Sequence, residues 1–132
     1  MQLEFFMAMK PPTTTYQEKK LTVRNGKPHT YEPANVRDTR EKLTAYLSRF
    51  APDRELKGAL RLTVKWLFPC GKAHRDGEYK ITRPDTDNLV KLLKDCMTDL
   101  HFWHDDAQVA SEINEKFYAD TTGIYIRLEE LQ

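Results

Sequence analysis

RPDTDNLVKLLKDCMTDLHFWHDD, running from Arg83 to Asp106, reads as one amphipathic helix bracketed by two pairs of carboxylates. Leu89, Leu92, Leu93, Cys96 and Leu100 fall at the spacing of a single buried helical face. Asp87, Lys91 and Asp95 then stack on the opposite face, one turn above another. Pro84 suits the turn into a helix, and Asp85 or Asp87 suits its N-cap. The aromatic pair Phe102 and Trp103 ends the stretch, followed by Asp105 and Asp106.

Singly, each acid has an ordinary explanation: a cap, a partner for the helix dipole, an i, i+4 mate for Lys91, or a polar turn. Together, four acids and a lysine around one helix point to a divalent-metal site for phosphodiester chemistry. Mg²⁺ takes oxygen ligands, commonly one or two carboxylates plus water and phosphate. A bound cation also relieves the repulsion among crowded carboxylates. Lys91 would orient a phosphate or offset developing charge.

The sequence on either side supplies the scaffold. Leu3 to Met9 reads as a strand, stopped by Pro11 and Pro12. Residues 10–34 are polar and basic, with an Asn25-Gly26 signal between LTVR and KPHTY that predicts a short hairpin. This arm is either a solvated loop or a basic contact for DNA phosphates. Asn35 is expected to cap a helix reaching about Phe50, with Val36, Thr39, Leu43, Tyr46, Leu47 and Phe50 inward. Ala59 to Phe68 alternates as a strand with one buried face, Leu60, Leu62, Val64, Trp66 and Phe68. Residues 69–82 form a polar loop, and Lys72, Arg75, Lys80 and Arg83 are its candidate DNA-phosphate contacts. Ala107 to Phe117 and Gly123 to Leu128 read as two more strands, expected to pair as an antiparallel hairpin through the turn at 120–123. The expectation is an α+β fold of order β-α-β-α-β-β: a mixed sheet with two helices packed on one face, forming a single domain over residues 1–132.

Composition narrows the function. Hydrophobic content of 39% and charged content of 31% are those of a globular domain. The net charge is +1, so affinity for nucleic acid must come from a local basic patch. Cys70 and Cys96 form no disulfide framework, and Cys70 with His74 lacks the second half of a zinc site. The longest apolar runs are too short to cross a membrane, and a reducing cytoplasm is expected.

The sequence from Arg83 to about Val109 resembles the RusA family of Holliday junction resolvases. The family pattern is R-x-D-x-D-N-L-x-K at a helix start, an aromatic-rich turn, then D-D-x-Q-V leading into a strand; RPDTDNLVK and FWHDDAQV reproduce it. The resemblance implies that Asp85, Asp87 and Asp106 bind metal, Mg²⁺ with Mn²⁺ as a substitute, that Lys91 is the catalytic lysine, and that Asp105 is the adjacent acid. It implies a homodimer cutting two strands of like polarity at a four-way junction, in a protein type common in bacteria and their prophages. His101 departs from the pattern, because the family often has Gly there, and His104 occupies a variable position. A nuclease for flaps or forks, and a junction-binding module without turnover, are the alternatives.

Overall fold

The computed structural model of the chain describes residues 1–13, 20–24, 26–31 and 33–132. Six strands and two helices follow in order: β1 (Gln2–Met7), β2 (Lys20–Arg24), β3 (Lys27–Tyr31), α1 (Ala34–Leu47), β4 (Leu60–Pro69), α2 (Thr86–Asp99), β5 (Val109–Ala119) and β6 (Gly123–Glu130). Short 3₁₀ turns extend α1 through Ser48–Phe50 and precede β5 at Asp106–Gln108. Among the described residues, no helix is long and apolar enough to cross a membrane.

The main sheet is mixed, in the order β1-β6-β4-β5. β4 is the strand that its alternation predicts. Leu60, Leu62, Val64, Trp66 and Phe68 are buried, and the residues between them are half-buried. Ile124, Ile126 and Leu128 of β6 and Phe5 and Met7 of β1 extend that buried face. Leu43 and Leu47 of α1 and Leu89, Leu92, Leu93 and Cys96 of α2 complete the core cluster. Both helices therefore cover one face of the sheet, as expected.

The last two strands differ from expectation. β5 and β6 do not form a hairpin with each other, because β4 lies between them. β4, α2 and β5 form a β-α-β unit, which sets β5 parallel to β4. β6 then takes the other edge of β4, antiparallel. Residues 120–122 cross the end of β4 to reach it, and the chain enters β6 at Gly123. A Cβ there would stand 2.1 Å from the Phe6 ring and 2.7 Å from the Met7 carbonyl oxygen, so only glycine fits.

The predicted hairpin at Asn25-Gly26 is present as β2 and β3, paired from Lys20↔Tyr31 to Arg24↔Lys27, with Gly26 at φ 74°. Asn25 itself and the side chains of residues 14–24 and 28–32 of the basic arm lie outside the described residues. Asn35 does not cap α1. The N-cap is Pro33, whose carbonyl accepts the amides of Val36 and Arg37, and the Asn35 side chain instead accepts the Val36 amide from within the first turn.

Candidate active site

α2 starts where the spacing places it, with Asp85 at the N-cap and Asp87 in the first turn. The Asp85 carboxylate accepts no capping hydrogen bond, whereas its main-chain carbonyl accepts the Leu89 amide at 3.1 Å. Asp85, Asp87 and Lys91 are all exposed. The capping explanation thus accounts for the position of Asp85 and leaves its carboxylate uncommitted.

The start of α2 is held by β5. Lys116 Nζ donates to the carbonyls of Thr82, at 2.6 Å, and Pro84, at 2.8 Å. Burial pushes its ammonium below the ordinary lysine value, the nearby Lys80 adds to the shift, and Asp85 opposes it. Asn114 donates to the Thr86 carbonyl at 2.8 Å and accepts from Trp66 Nε1 at 2.6 Å. A chain of hydrogen bonds therefore runs from a core tryptophan to the first turn of the acid-bearing helix. Neither Lys116 nor Asn114 was expected from the sequence. The available signal was polarity on alternate positions of a strand, Glu112, Asn114 and Lys116.

The basic loop is built onto the free edge of β5. Gly77 N donates to Tyr118 O, Tyr118 N to Glu78 O and Lys80 N to Lys116 O, at 2.8 to 3.0 Å. His74 stacks on Tyr118 at 3.7 Å between ring centroids and bonds Glu78 at 2.6 Å. That bond is the main cause holding the Glu78 carboxyl below its ordinary value. Lys72, Arg75 and Arg83 are exposed. Lys80 is engaged within the fold: its ammonium bonds Thr82 Oγ1 at 2.7 Å and lies 5.1 Å from both the Phe68 and Tyr118 ring centroids.

The second acid pair sits at the other end of α2. The Asp105 carboxylate accepts the Ala107 amide at 2.9 Å, and Gln108 Oε1 accepts the amides of His104 and Asp105. This reciprocal capping box fixes the 3₁₀ turn, and Gln108 Nε2 anchors it to the carbonyls of Leu56 and Gly58. The glutamine of D-D-x-Q is thus a structural residue, and Asp106 is left exposed on the turn that Asp105 caps. Asp105 and Asp106 line an open cleft of about 470 Å³ with Asp95, Asp99, His104 and Arg40. Phe102 and Trp103 are fully buried and belong to the core cluster. Trp103 Nε1 bonds Thr98 Oγ1 at 2.7 Å.

His101 occupies the left-handed region, at φ 61°. Its amide bonds Thr98 O and the Phe102 amide bonds Met97 O, the double bond of a Schellman ending for α2. The family's glycine at this position has that physical reason.

The two acid pairs are not brought together within one chain. β5 measures the gap: Lys116 braces one end and Val109 follows the other, roughly 20 Å apart at the usual rise per strand residue. Among the described residues, no three His, Cys, Asp or Glu side chains stand close enough to share an ion. Asp85 and Asp87, both exposed and the former making no capping hydrogen bond, suit a cation that keeps water and phosphate in its other positions.

The sequence matches the endodeoxyribonuclease RusA family over residues 10–129. A Lactococcus phage r1t protein named crossover junction endodeoxyribonuclease rusA is 30% identical over 122 residues, covering 88% of this chain and 92% of that protein. The Bacillus subtilis (strain 168) protein YqaN is 27% identical over 121 residues, covering 83% of this chain and 84% of its own length. With the family match running through both helices and three of the four strands of the main sheet, the chain belongs to the RusA endodeoxyribonuclease family.

Proposed function

We propose that this protein is a Mg²⁺-dependent endonuclease that resolves four-way DNA junctions by paired symmetric nicks, in recombination and repair. The observation that carries the reading is the start of α2: two exposed carboxylates on a helix turn braced by Lys116 and Asn114, with Lys91 one turn on. The phage relative named for crossover junctions supports the substrate.

Asp85 and Asp87 hold the cation, with Mn²⁺ as a substitute. When bound, it lowers the pKa of the attacking water and offsets charge on the leaving 3′ oxygen. Lys91 places its ammonium against the scissile phosphate. Lys72, Arg75 and Arg83 take backbone phosphates on one side, and Lys80 keeps their loop in place. Asp105 fixes the turn that presents Asp106. Within one chain Asp106 lies too far from Asp85 and Asp87 to share an ion, so its part in the metal site requires a second subunit. A homodimer also meets the two-fold symmetry of a junction. Both tryptophans are buried, so an apolar interface would draw on the open sheet face, where Phe6 and Ile113 are exposed.

The test is cleavage of a synthetic four-way junction beside a linear duplex and a flap, in Mg²⁺ and then in EDTA. Paired nicks on the junction alone, lost in EDTA, are expected. Preference for the flap would make the protein a nuclease of other branched DNA, and binding without cutting would make it a binding module. Asp87→Asn should keep fold and junction binding and cut at least about a thousandfold more slowly, the scale of a missing electrostatic contribution. Near wild-type cutting by that variant would remove Asp87 from the site. Mixing Asp87→Asn with Asp106→Asn protein should restore some cutting if the acids combine across subunits.

A further inference from the structure

A second cleft lies on the opposite side of α1 from the acidic one. Of about 230 Å³, it is lined by Lys10, Thr13, Thr39 and Lys42, with Pro11 and Pro12 in its wall. Lys10 and Lys42 are exposed, and among the described residues neither ammonium has a carboxylate within ion-pairing distance. Pro11 and Pro12 are buried, and Met9 is 4% exposed with its amide bonded to Met7 O at 2.8 Å. The segment carrying Lys10 is therefore anchored. Two lysine ammoniums without a carboxylate partner among the described residues, set around an anchored cleft, favour an oxyanion.

The sheet register places this cleft. Met7 pairs with Ile124, Ile124 with Trp66, and Trp66 with Lys116, in one row across all four strands. Lys116 braces the start of α2 at one end of that row, and the chain leaves the row at the other end, through Met9, into the cleft. The row spans roughly 14 Å at the usual strand spacing. Asp85 and Asp87 thus stand between two cationic features: the basic loop beside β5 and the lysine cleft beyond β1.

We infer that the Lys10–Lys42 cleft is a subsite for a backbone phosphate of the DNA, a few nucleotides from the phosphate that is cut. The inference rests on the nuclease reading for its ligand. The cleft holds the strand on the far side of the acids from the basic loop, so that the negative helix start is approached by a strand fixed at two points. It carries no base contact and therefore contributes to affinity rather than sequence choice.

The experiment is the salt dependence of binding to plain duplex and to a four-way junction, in EDTA so that cutting plays no part. Lys10→Gln/Lys42→Gln is compared with wild type and with Lys57→Gln, which removes one exposed charge near the opposite end of the sheet. The double variant should bind duplex at least about tenfold more weakly at moderate salt. The slope of log K against log salt should fall by about 0.9, the contribution of the one phosphate that is no longer neutralised. Lys10→Arg/Lys42→Arg should restore both. An unchanged slope, or a change matched by Lys57→Gln, overturns the inference. So does weaker binding of inorganic phosphate with the DNA slope intact, which would make the cleft a free-anion site. Because the readout is binding to plain duplex, it stands apart from failure to cut a junction.

Discussion

β4 and β5 lie side by side and run the same way, yet they turn opposite chemistries toward the helices. Leu62, Val64, Trp66 and Phe68 of β4 are registered with Glu112, Asn114, Lys116 and Tyr118 of β5. Registered residues of a parallel pair share a face. β4 thus presents apolar side chains to the core, while β5 presents a carboxylate, an amide, an ammonium and a phenol. The apolar residues of β5, Ile113 and Phe117, share the open face with Thr63 and Leu67. Glu112 pairs with Lys94 of α2 at 3.0 Å, Asn114 holds Thr86, and Lys116 holds the turn before Asp85. One strand stabilises the fold and its neighbour holds the site.

Three substitutions would break or sharpen that contrast. Trp66→Ala, on β4, should cost about 3–5 kcal/mol in chemical denaturation, because a fully buried ring is removed and Asn114 is deprived of its donor. A cost under about 1 kcal/mol would mean that β4 does not carry the core. Lys116→Met, on β5, should move the unfolding midpoint little and lower junction cutting at least about tenfold, equivalent to about 1.4 kcal/mol in the barrier. Junction binding in EDTA should stay near wild type, and Lys116→Arg should recover part of the rate. Parallel falls in stability and rate would make Lys116 a structural residue only. Ile113→Ser, on the outward face of β5, should change stability by no more than about 0.5 kcal/mol. A larger effect that grew on dilution would instead place that face in a subunit interface.

Much of this was legible in the chain. The period of Leu89, Leu92, Leu93 and Cys96 fixes α2, and strict alternation fixes β4, because both bury one face against a common core. The Asn-Gly signal was enough for β2 and β3. The pairing of β5 and β6 was not legible. Turn chemistry at 120–123 announces a reversal of direction but does not say which edge the returning strand joins, and the β-α-β unit had already claimed one edge of β4. The inward face of β5 was hidden for a related reason: an alternating strand looks alike from either side, and its polar half faces inward here. At the site, the acids and Lys91 were visible as a motif. What the motif leaves out is the roughly 20 Å between its two acid pairs, because residues adjacent in a pattern are separated by the length of the helix between them.

The pairing of β1 with β6 joins Gln2 to Glu129 and Met7 to Ile124. During synthesis, β1 is the first strand of the main sheet to emerge, and among the described residues its neighbour there is the last. Until β6 appears, β1 has no partner in that sheet and β4 keeps one edge open, a state that exposes unpaired strand to other chains. Non-local closure of this kind belongs to the slow end of folding for small domains. The strand that completes the sheet is thus also the one that ends its exposure to neighbouring nascent chains.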